Sequence, residues 1–416
     1  MKFRSINSAL LAKRSTADGR IIIITGARQT GKTTLVKKCF SEREYIAVDD
    51  PVLRAAYTSL TAPQWYKQYP DAILDEVQKA PSLIETVKAV YDQYPDCRYV
   101  LTGSSQLLLL NKVKESLAGR CIIFELFPLT IPEIMTDRWD DVRFSWFQDF
   151  LRTGTMQPYS PSFLLEPDHA SREAAFRYYL TNGGYPALVR TGMTDDDRYD
   201  WLINYVRTYL ERDVRDLADF RSLEPFIKVQ KMTALLTGSL LNFSELAREA
   251  GVTTHTARRF INYLGISYQV ILLQPWSRNE LKRLVKSPKL HYLDPGVHKA
   301  IIRKKGETAG NEFESAVIAE IFKQAMNIQF RGSFYHLRTV DGREADLLIE
   351  TENGYYAFEV KQAGRVDRVD ARHLSGLASI LDKPLLASFL LSNDPGVRMI
   401  TDNTLAMPAA MFLSCP

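Results

Sequence analysis

An apolar run leads directly into a glycine-rich loop near the start of the chain, where residues 21–33 read IIIITGARQTGKT. The spacing Gly26-x-x-x-x-Gly31-Lys32-Thr33 is typical of a phosphate-binding loop, whose glycines let backbone N–H groups face a phosphate. The helical run LVKKCF follows, so the positive N-terminus of a helix points at the same anion. The sequence therefore predicts a strand, a loop and a helix that together bind a nucleoside triphosphate.

The positions of this loop have different expected roles. Lys32 is expected to reach the β- and γ-phosphates, and the Thr33 hydroxyl is placed to bind Mg²⁺. The residues expected to contact the nucleotide are Gly26, Ala27, Arg28, Gln29, Thr30, Gly31, Lys32, Thr33 and Thr34. We therefore expect ATP or GTP, together with Mg²⁺, at this site.

Two carboxylates end a second apolar strand, which reads AILDE at residues 72–76. Asp75 is expected near the nucleotide and its Mg²⁺, and Glu76 where it can polarise an attacking water. The next strand ends in LTGSS, where the hydroxyl of Thr102 or Ser104 is expected to sense the γ-phosphate. An ordinary helix-capping role for these hydroxyls is the alternative. Together the three strands predict a site that hydrolyses its nucleotide.

Arg120 lies in the sequence LAGR, immediately before another predicted strand. An arginine from a neighbouring subunit can neutralise charge during phosphoryl transfer, so Arg120 is a candidate for this catalytic role. An ordinary surface position is the alternative, and Arg28, Arg212 and Arg215 are weaker candidates. Action from a neighbouring subunit requires a homo-oligomer, which nothing in the sequence proves.

Composition favours an ordinary globular protein. The 416 residues are enough for two to four domains, and 45% of them are hydrophobic and 25% charged. No apolar run approaches the length of a membrane span, and the N-terminus lacks the apolar core of a signal peptide. We therefore expect a cytoplasmic protein without membrane contact. The four cysteines have no paired spacing, which argues against a disulfide framework and a zinc site.

The pattern of apolar runs predicts four segments. Strands that alternate with helices in residues 1–135 indicate an α/β fold with a parallel sheet covered on both faces. The strands are predicted at 20–25, 44–48, 71–75, 98–103 and 121–126. Residues 136–240 are interpreted as an insertion without clear periodicity, up to 170, followed by a helical lid. Changes in composition set off two further segments, 241–305 and 306–416.

Residues 243–264 fit a helix-turn-helix, in which Gly251 makes the turn and Thr253 caps the second helix. Apolar residues recur at helical spacing in that helix, at Ala257, Phe260, Ile261 and Leu264. Its outward positions, where a recognition helix would face DNA, are His255, Arg258, Arg259 and Asn262. Strand-like runs around the basic stretch SRNELKRLVK extend the segment to a winged helix. DNA contact is predicted, and a protein-docking or lid role is the alternative.

The last segment combines carboxylates with a lysine. Asp346 lies in EADLLIE, and Glu359 and Lys361 lie in AFEVK, thirteen residues further on. Because side chains alternate along a strand, Glu359 and Lys361 point to one face, with Asp346 across the predicted hairpin. This is the pattern of PD-(D/E)xK nucleases, in which two carboxylates bind Mg²⁺ or Mn²⁺ and the lysine activates water. Glu314, on a preceding helix, is expected to complete the metal shell. Whether the site cleaves DNA stays open.

Together these motifs resemble a widespread family of prokaryotic AAA-type ATP-binding proteins. The resemblance rests on GARQTGKTTL, ILDEVQKAP, YVLTGSS, LAGR with FELFPLT, NGGYPALV, YLERDV, KSPKLHYLDPGV, GNEFE, EADLLIE and AFEVK. It covers nearly the whole chain apart from residues 136–170. It implies a P-loop AAA-type parallel sheet, a helical lid, a winged helix and a C-terminal α/β domain similar to restriction endonucleases. The sensor strand departs from AAA proteins at large, because it carries Thr and Ser instead of Asn.

Three functions follow from these patterns. The leading hypothesis is an ATPase that couples ATP binding or hydrolysis to DNA binding or processing, including cleavage by the last segment. In the alternative, the protein is an ATP-dependent regulatory switch, and its nuclease-like segment only binds DNA or protein. A third possibility, a small-molecule kinase, leaves the winged helix and the C-terminal carboxylates without a role.

Overall fold

The computed structural model describes residues 2–103, 116–156, 159–210, 222–279, 287–339 and 342–416. The predictions for Ser104, Arg212, Arg215 and most of the basic stretch at 277–286 fall outside these residues. Two β-sheets are present in the described part of the chain. No helix within these ranges is long and apolar enough to cross a membrane.

The first sheet consists of five parallel strands. They are β1 (Ile21–Thr25), β2 (Glu44–Ala47), β3 (Asp71–Asp75), β4 (Arg98–Thr102) and β5 (Ile122–Glu125). Their order across the sheet is β2-β3-β4-β1-β5, with β1 next to β5 at one side. All five residues of β1 are buried, since this strand has neighbours on both sides and helices on both faces. The parallel sheet predicted for the first segment is confirmed.

Within the described ranges, five helices and two 3-10 turns accompany this sheet. They are α1 (Asn7–Lys13), α2 (Lys32–Cys39), α3 (Pro51–Ser59), α4 (Ala62–Gln68) and α5 (Pro81–Gln93), with the turns at Asp18–Arg20 and Val77–Lys79. Side chains alternate along β1, so Ile22 and Ile24 pack with residues of α1 and α2, whereas Ile21 and Ile23 pack with residues of α5. The loop between β1 and α2 follows the last residue of β1, so it lies at the carboxyl edge of the sheet.

The described residues in the middle of the chain are largely helical, which agrees with the helices predicted from residue 171 onward. Its elements are α6 (Ile131–Met135), α7 (Trp146–Thr153), α8 (His169–Asn182), α9 (Asp195–Tyr205), which continues as a π-helical turn at Val206–Leu210, and α10 (Glu224–Leu235), with 3-10 turns at Phe163–Leu165 and Pro186–Val189. Asp294 ties the end of α8 to the second half of the chain, because its carboxylate accepts a hydrogen bond from the Gly184 N–H at 2.8 Å.

The second sheet has nine strands. They are β6 (Ser239–Leu240), β7 (Val270–Pro275), β8 (Lys289–Tyr292), β9 (Ser333–Arg338), β10 (Glu344–Glu350), β11 (Tyr355–Lys361), β12 (Leu385–Ser392), β13 (Arg398–Thr401) and β14 (Thr404–Pro408), in the order β13-β14-β12-β11-β10-β9-β7-β8-β6. The helices of this half are α11 (Phe243–Ala250), α12 (Thr254–Ile266), α13 (Pro295–Ile302), α14 (Gly310–Asn327) and α15 (Ala409–Leu413), with a 3-10 turn at Leu377–Ser379.

The two helices predicted for a helix-turn-helix are present as α11 and α12. Gly251 ends α11 in the left-handed region at a φ of 70°, and the Thr253 side chain caps α12 by accepting the Thr256 N–H at 3.1 Å. The four apolar positions of α12 are buried, as predicted. The antiparallel strands β7 and β8 follow these helices. The interpretation of this arrangement as a winged helix stays a prediction.

The second sheet runs across the domain boundary predicted between residues 305 and 306. β7 pairs in parallel with β9, with Gln274 opposite Tyr335 and Pro275 opposite His336. Strands from both sides of the predicted boundary thus share one hydrogen-bonded sheet. The composition change near Gly306 corresponds to the connection between α13 and α14 and not to an interruption of this sheet.

The sequence interpretation of residues 136–170 as an insertion differs from the structure. Helix α7 buries Trp146, Phe147 and Phe150 in the same apolar core as the C-terminal strands. The ring of Phe147 lies 5.2 Å from that of Phe412 and 6.2 Å from that of Phe358, between centroids. An eight-residue helix is too short for its periodicity to stand out, and its apolar partners are far away in the sequence.

We expect Phe147→Ala to lower the free energy of unfolding by about 3–5 kcal/mol, because it removes a buried ring from this shared core. Urea denaturation followed by circular dichroism measures the change. Leu165→Ala is the matched control, since Leu165 is 68% exposed, and its effect should stay within about 0.5 kcal/mol. Equal effects of the two substitutions would show that α7 is a peripheral element.

Candidate nucleotide site and C-terminal acidic site

The glycine-rich loop adopts a backbone that requires its glycines. Gly26 has a φ of 150°, and a Cβ atom there would lie 2.2 Å from the Leu126 carbonyl oxygen. Gly31 has a φ of 93° and directly precedes α2. Both values lie in the region that side chains disfavour, so glycine is needed at these positions. The result is a tight loop between the end of β1 and the N-terminus of α2, where backbone N–H groups can face an anion.

The Lys32 ammonium lies within this loop. It donates hydrogen bonds to the carbonyl oxygens of Gly26 at 2.9 Å and Ala27 at 2.8 Å. The Thr30 hydroxyl donates to the same Ala27 oxygen at 2.8 Å, which braces the loop from inside. Lys32 is buried at the start of α2, so its charge is held at the place where phosphates would enter.

The Asp75 carboxylate, at the carboxyl edge of the sheet, accepts hydrogen bonds from three hydroxyl groups. Its Oδ2 atom accepts hydrogen bonds from Thr33 at 2.7 Å and from the Tyr45 phenol at 2.6 Å. Its Oδ1 atom accepts one from the Thr102 hydroxyl. The structure therefore brings the two predicted Mg²⁺ ligands, Thr33 and Asp75, into direct contact. Tyr45 completes the set and was not singled out from the sequence.

Glu76 and Thr102 occupy different positions relative to the loop. Glu76 lines the cavity next to the loop and has a φ of 57°, an uncommon conformation that turns the chain directly after β3. Thr102 is fully buried, and its hydroxyl accepts the Glu76 N–H at 3.4 Å while it bonds to Asp75. In this arrangement Thr102 holds the Asp75 carboxylate and the backbone of Glu76.

A cavity of about 400 Å³ opens beside the loop. Its lining includes Glu76 and six of the loop and helix residues predicted to contact nucleotide, namely Arg28, Gln29, Gly31, Lys32, Thr33 and Thr34. The opposite wall comes from the 3-10 turn after α8, where Pro186, Ala187 and the exposed Arg190 line the cavity. Sequence reasoning missed Arg190. The glycines of the motif NGGYPALVR could have indicated that this turn packs closely against the first domain. A Cβ atom on Gly184 would lie 2.0 Å from the Leu129 carbonyl oxygen, so only glycine allows the approach that positions the turn before Arg190.

Arg4 supports the loop from beneath and was also missed. Its guanidinium donates to the Thr30 carbonyl at 2.8 Å and to the Phe127 carbonyl at 2.5 Å. Its Nε atom lies 3.3 Å from the Glu133 carboxylate, and both side chains are buried. Burial lowers the pKa of Arg4, and the neighbouring Glu133 carboxylate opposes that shift. A buried arginine paired in this way fixes the loop to the segment that follows β5.

Arg120 lies away from the nucleotide cavity of its own chain. It precedes β5 and therefore lies at the amino edge of the parallel sheet, opposite the edge that carries the loop. Its guanidinium pairs with Asp92 at 2.8 Å, and this bond raises the pKa of Arg120. The structure does not bring Arg120 to the other predicted nucleotide residues, so a role in hydrolysis would require a neighbouring subunit.

Two tyrosines connect the rest of the chain to the loop. The Tyr205 phenol, at the end of α9, donates to the Arg28 carbonyl at 3.1 Å. The Tyr268 hydroxyl lies 2.8 Å from the Thr25 hydroxyl and 3.1 Å from the Glu125 carboxylate. Tyr268 follows α12 and has a φ of 60°, so the backbone there is held in an uncommon conformation. Both halves of the chain therefore meet at the ends of β1 and β5.

The residues predicted for a C-terminal metal site also come together. Glu314 lies on α14, Asp346 on β10, and Glu359 and Lys361 on β11. All four line a cavity of about 360 Å³, together with Lys289 from β8 and with His336, Arg338, Glu344 and His373. Burial and the nearby Asp346 raise the pKa of Glu314 to about 8 and that of Glu359 to about 7.

The arrangement of these carboxylates does not fit the predicted Mg²⁺ or Mn²⁺ site. The Lys289 ammonium lies 2.6 Å from Glu314 and 2.9 Å from Asp346, where a bridging cation would bind. Lys361 pairs with Glu359 at 2.6 Å. Among the residues that the structure describes, no group of three or more His, Cys, Asp or Glu side chains is arranged to hold a metal ion. The sequence could not reveal Lys289, whose position depends on the pairing of β7, β8 and β9.

Family models match three consecutive parts of the chain. Residues 18–135 match the model described as an AAA domain. Residues 173–308 and 309–412 match two domains of unknown function, DUF8612 and DUF4143 respectively. The PD-(D/E)xK interpretation of the last segment therefore stays a prediction.

Similar proteins are found in several bacteria. Uncharacterised proteins of Mycobacterium tuberculosis and Mycobacterium bovis are each 26% identical to this chain over 421 residues, covering 98% of it and 84% of the relative. An uncharacterised protein of Haemophilus influenzae is 21% identical over 353 residues, which covers 79% of both chains.

Two solved structures also resemble the chain. The Walker-type ATPase of Pyrococcus abyssi has a TM-score of 0.43 at 14% identity and covers 71% of this chain and 95% of its own. The Orc1 protein of Aeropyrum pernix in complex with DNA has a TM-score of 0.28 at 14% identity and covers 72% and 91%. The AAA-domain match agrees with the parallel sheet and the glycine-rich loop, and it supports an α/β AAA-type ATPase domain in residues 18–135.

Proposed function

We propose that this protein binds ATP with Mg²⁺, hydrolyses it, and couples its nucleotide state to DNA binding by the second half of the chain. The observation that carries the first part is the contact between Thr33 and Asp75 next to the Lys32 ammonium. A hydroxyl and a carboxylate beside a phosphate-binding loop are the oxygen ligands that Mg²⁺ takes in such sites.

Each residue of the nucleotide site has a defined part in this proposal. Thr33 and Asp75 would hold Mg²⁺, which neutralises charge on the phosphates. Lys32 would exchange its bonds to the loop carbonyls for bonds to phosphate oxygens. Glu76 lines the same cavity and would orient the attacking water. Thr102 would act indirectly, because its hydroxyl fixes Asp75 and the backbone of Glu76.

Arginines on the cavity rim would contribute further positive charge. Arg28 and Arg190 line the nucleotide cavity from opposite walls. Arg120, at the other edge of the sheet, would act only on the nucleotide of an adjacent copy in a homo-oligomer. Its exposed ion pair with Asp92 would be exchanged for a phosphate contact at little cost, since exposed ion pairs contribute little to stability.

The DNA-binding part of the proposal rests on α12. Its residues His255, Arg258, Arg259 and Asn262 are exposed, while the opposite face is buried against the rest of the helical region. Arg258 lies over the ring of Phe243 at 4.1 Å, which holds one guanidinium at the start of the helix pair. A helix that projects basic side chains from a helix-turn-helix has the geometry needed to enter a DNA groove.

A second candidate function is a nucleotide-dependent switch that cleaves nothing. The position of Lys289 between Glu314 and Asp346 favours it, because an ammonium group occupies the place where the metal of a nuclease would lie. In this case the C-terminal segment binds DNA or protein, and nucleotide state changes the presentation of that surface.

ATP turnover tests the first part of the proposal. We expect Lys32→Ala to lower kcat by about 10²–10³-fold, because it removes a charge aimed at the phosphates. Release of inorganic phosphate measures the rate. Lys38→Ala is the matched control on the same helix, since Lys38 is exposed, and it should keep the original rate.

The separation of the two sites is tested in the same assay. Asp346→Asn should leave ATP turnover unchanged, because Asp346 lies in the other sheet. Loss of turnover in a correctly folded Asp346→Asn protein would contradict two independent sites. Full turnover in Lys32→Ala would exclude the proposed nucleotide site.

Binding of duplex DNA tests the second part. We expect the double variant Arg258→Ala, Arg259→Ala to weaken binding and to reduce the slope of log affinity against log salt by about 2, if each arginine neutralises one phosphate. Fluorescence anisotropy at several salt concentrations, with and without ATP, measures this slope. Arg248→Ala on α11 is the control, because Arg248 pairs with Glu249. An unchanged slope in the double variant would remove α12 from the DNA contact.

A further inference from the structure

Lys289 is a buried lysine of β8 that forms ion pairs with carboxylates from a later segment of the chain. It begins β8, a strand on which all four residues are buried, and β8 pairs with β7 and β6. The carboxylates around its ammonium come from later in the sequence, from α14 and β10. Only 6% of Lys289 is exposed to solvent. A lysine this deeply buried needs compensating charges, and the cavity supplies them.

Four of the six carboxylate oxygens of Glu314, Asp346 and Glu359 are engaged by cations or by a backbone N–H, whereas the buried Oε2 atom of Glu359 has no hydrogen-bond partner among the described residues. The Oε1 atom of Glu314 and the Oδ1 atom of Asp346 both contact the Lys289 ammonium. The Oδ2 atom of Asp346 accepts the Val360 N–H at 3.0 Å. The Oε1 atom of Glu359 pairs with Lys361. A divalent ion would have to displace the ammonium and leave it buried beside another positive charge, which is strongly unfavourable.

Charge balance leads to the same conclusion. Asp346 and Glu359 are buried and Glu314 is partly buried, and the three carboxylates surround or adjoin the ammonium groups of Lys289 and Lys361. Without Lys289, Glu314 and Asp346 would repel each other across the cavity, as two carboxylates do when they share a site. Lys289 thus performs the electrostatic task that a bound metal ion performs in a carboxylate cluster.

We propose that the Lys289 ammonium is a built-in cation, which takes the place of a divalent metal among Glu314, Asp346 and Glu359. The C-terminal cavity is then complete without a metal ion. The proposal concerns this cavity alone and goes beyond the proposed ATPase, so its failure would leave the nucleotide site untouched.

Metal binding by the full-length chain, without nucleotide, tests this proposal. Mn²⁺ is the probe, and electron paramagnetic resonance counts bound and free ions. We expect the unaltered chain and Asp346→Asn to bind the same number of Mn²⁺ ions. We expect Lys289→Met to bind one additional Mn²⁺, at least about tenfold more tightly than any site at Asp346 in the unaltered chain. The added site should disappear in the double variant Lys289→Met, Asp346→Asn.

Two controls separate the proposed effect from a general loss of charge. Lys289→Arg keeps a cation at the position and should gain no site. Lys361→Met removes the other lysine of the cavity but leaves Glu314 and Asp346 engaged, so it should gain no site that depends on Asp346. Circular dichroism verifies that each variant is folded.

Two results would overturn the proposal. The first is an Mn²⁺ site in the unaltered chain that Asp346→Asn removes, a result that needs no change at Lys289. The second is a folded Lys289→Met chain that gains no Mn²⁺ site. Phosphate release from ATP by the same proteins distinguishes either result from failure at the nucleotide site.

Discussion

The nucleotide site depends on the hydrogen bonds that the Asp75 carboxylate accepts. Hydroxyl groups from Thr33, Tyr45 and Thr102 all bond to it, so the helix after the glycine-rich loop is joined to β2 and to the carboxyl ends of β3 and β4. Because these strands are parallel, their carboxyl ends meet at one edge, and polar side chains placed there converge. The apolar residues of β1, β3 and β4 are buried on both faces of the sheet, so the functional side chains of these strands lie at this edge.

The strands of the five-stranded parallel sheet could be predicted from the sequence because their burial leaves a local pattern. Buried parallel strands are nearly continuous apolar runs, and the polar residues that follow them mark the functional edge. Contacts between distant parts of the chain had no such local sign. Arg4 reaches Thr30 and Phe127, and Lys289 reaches Glu314, only after the chain has folded. The sequence therefore identified the carboxylates of the C-terminal cavity but not the lysine that neutralises them.

The nucleotide site is mechanically connected to the remainder of the molecule. Tyr205 contacts the backbone of the loop, and Tyr268 contacts the end of β1 and the end of β5. Tyr268 lies between α12 and β7, and β7 belongs to the nine-stranded sheet. Tyr268 is therefore one of the contacts between the edge of the first sheet and the part of the chain that carries the helix pair and the second sheet.

The packing of α7 has a consequence for how the chain is made. Trp146 and Phe147 leave the ribosome well before Phe389 and Phe412, the strand and helix residues that cover them. Until β12 and α15 have been made, the aromatic face of α7 lacks these partners. Contacts between such distant positions slow folding and favour aggregation of partly made chains. A product that stops short of β12 would leave this aromatic face without Phe389 and Phe412, so the packing of α7 depends on β12 and α15.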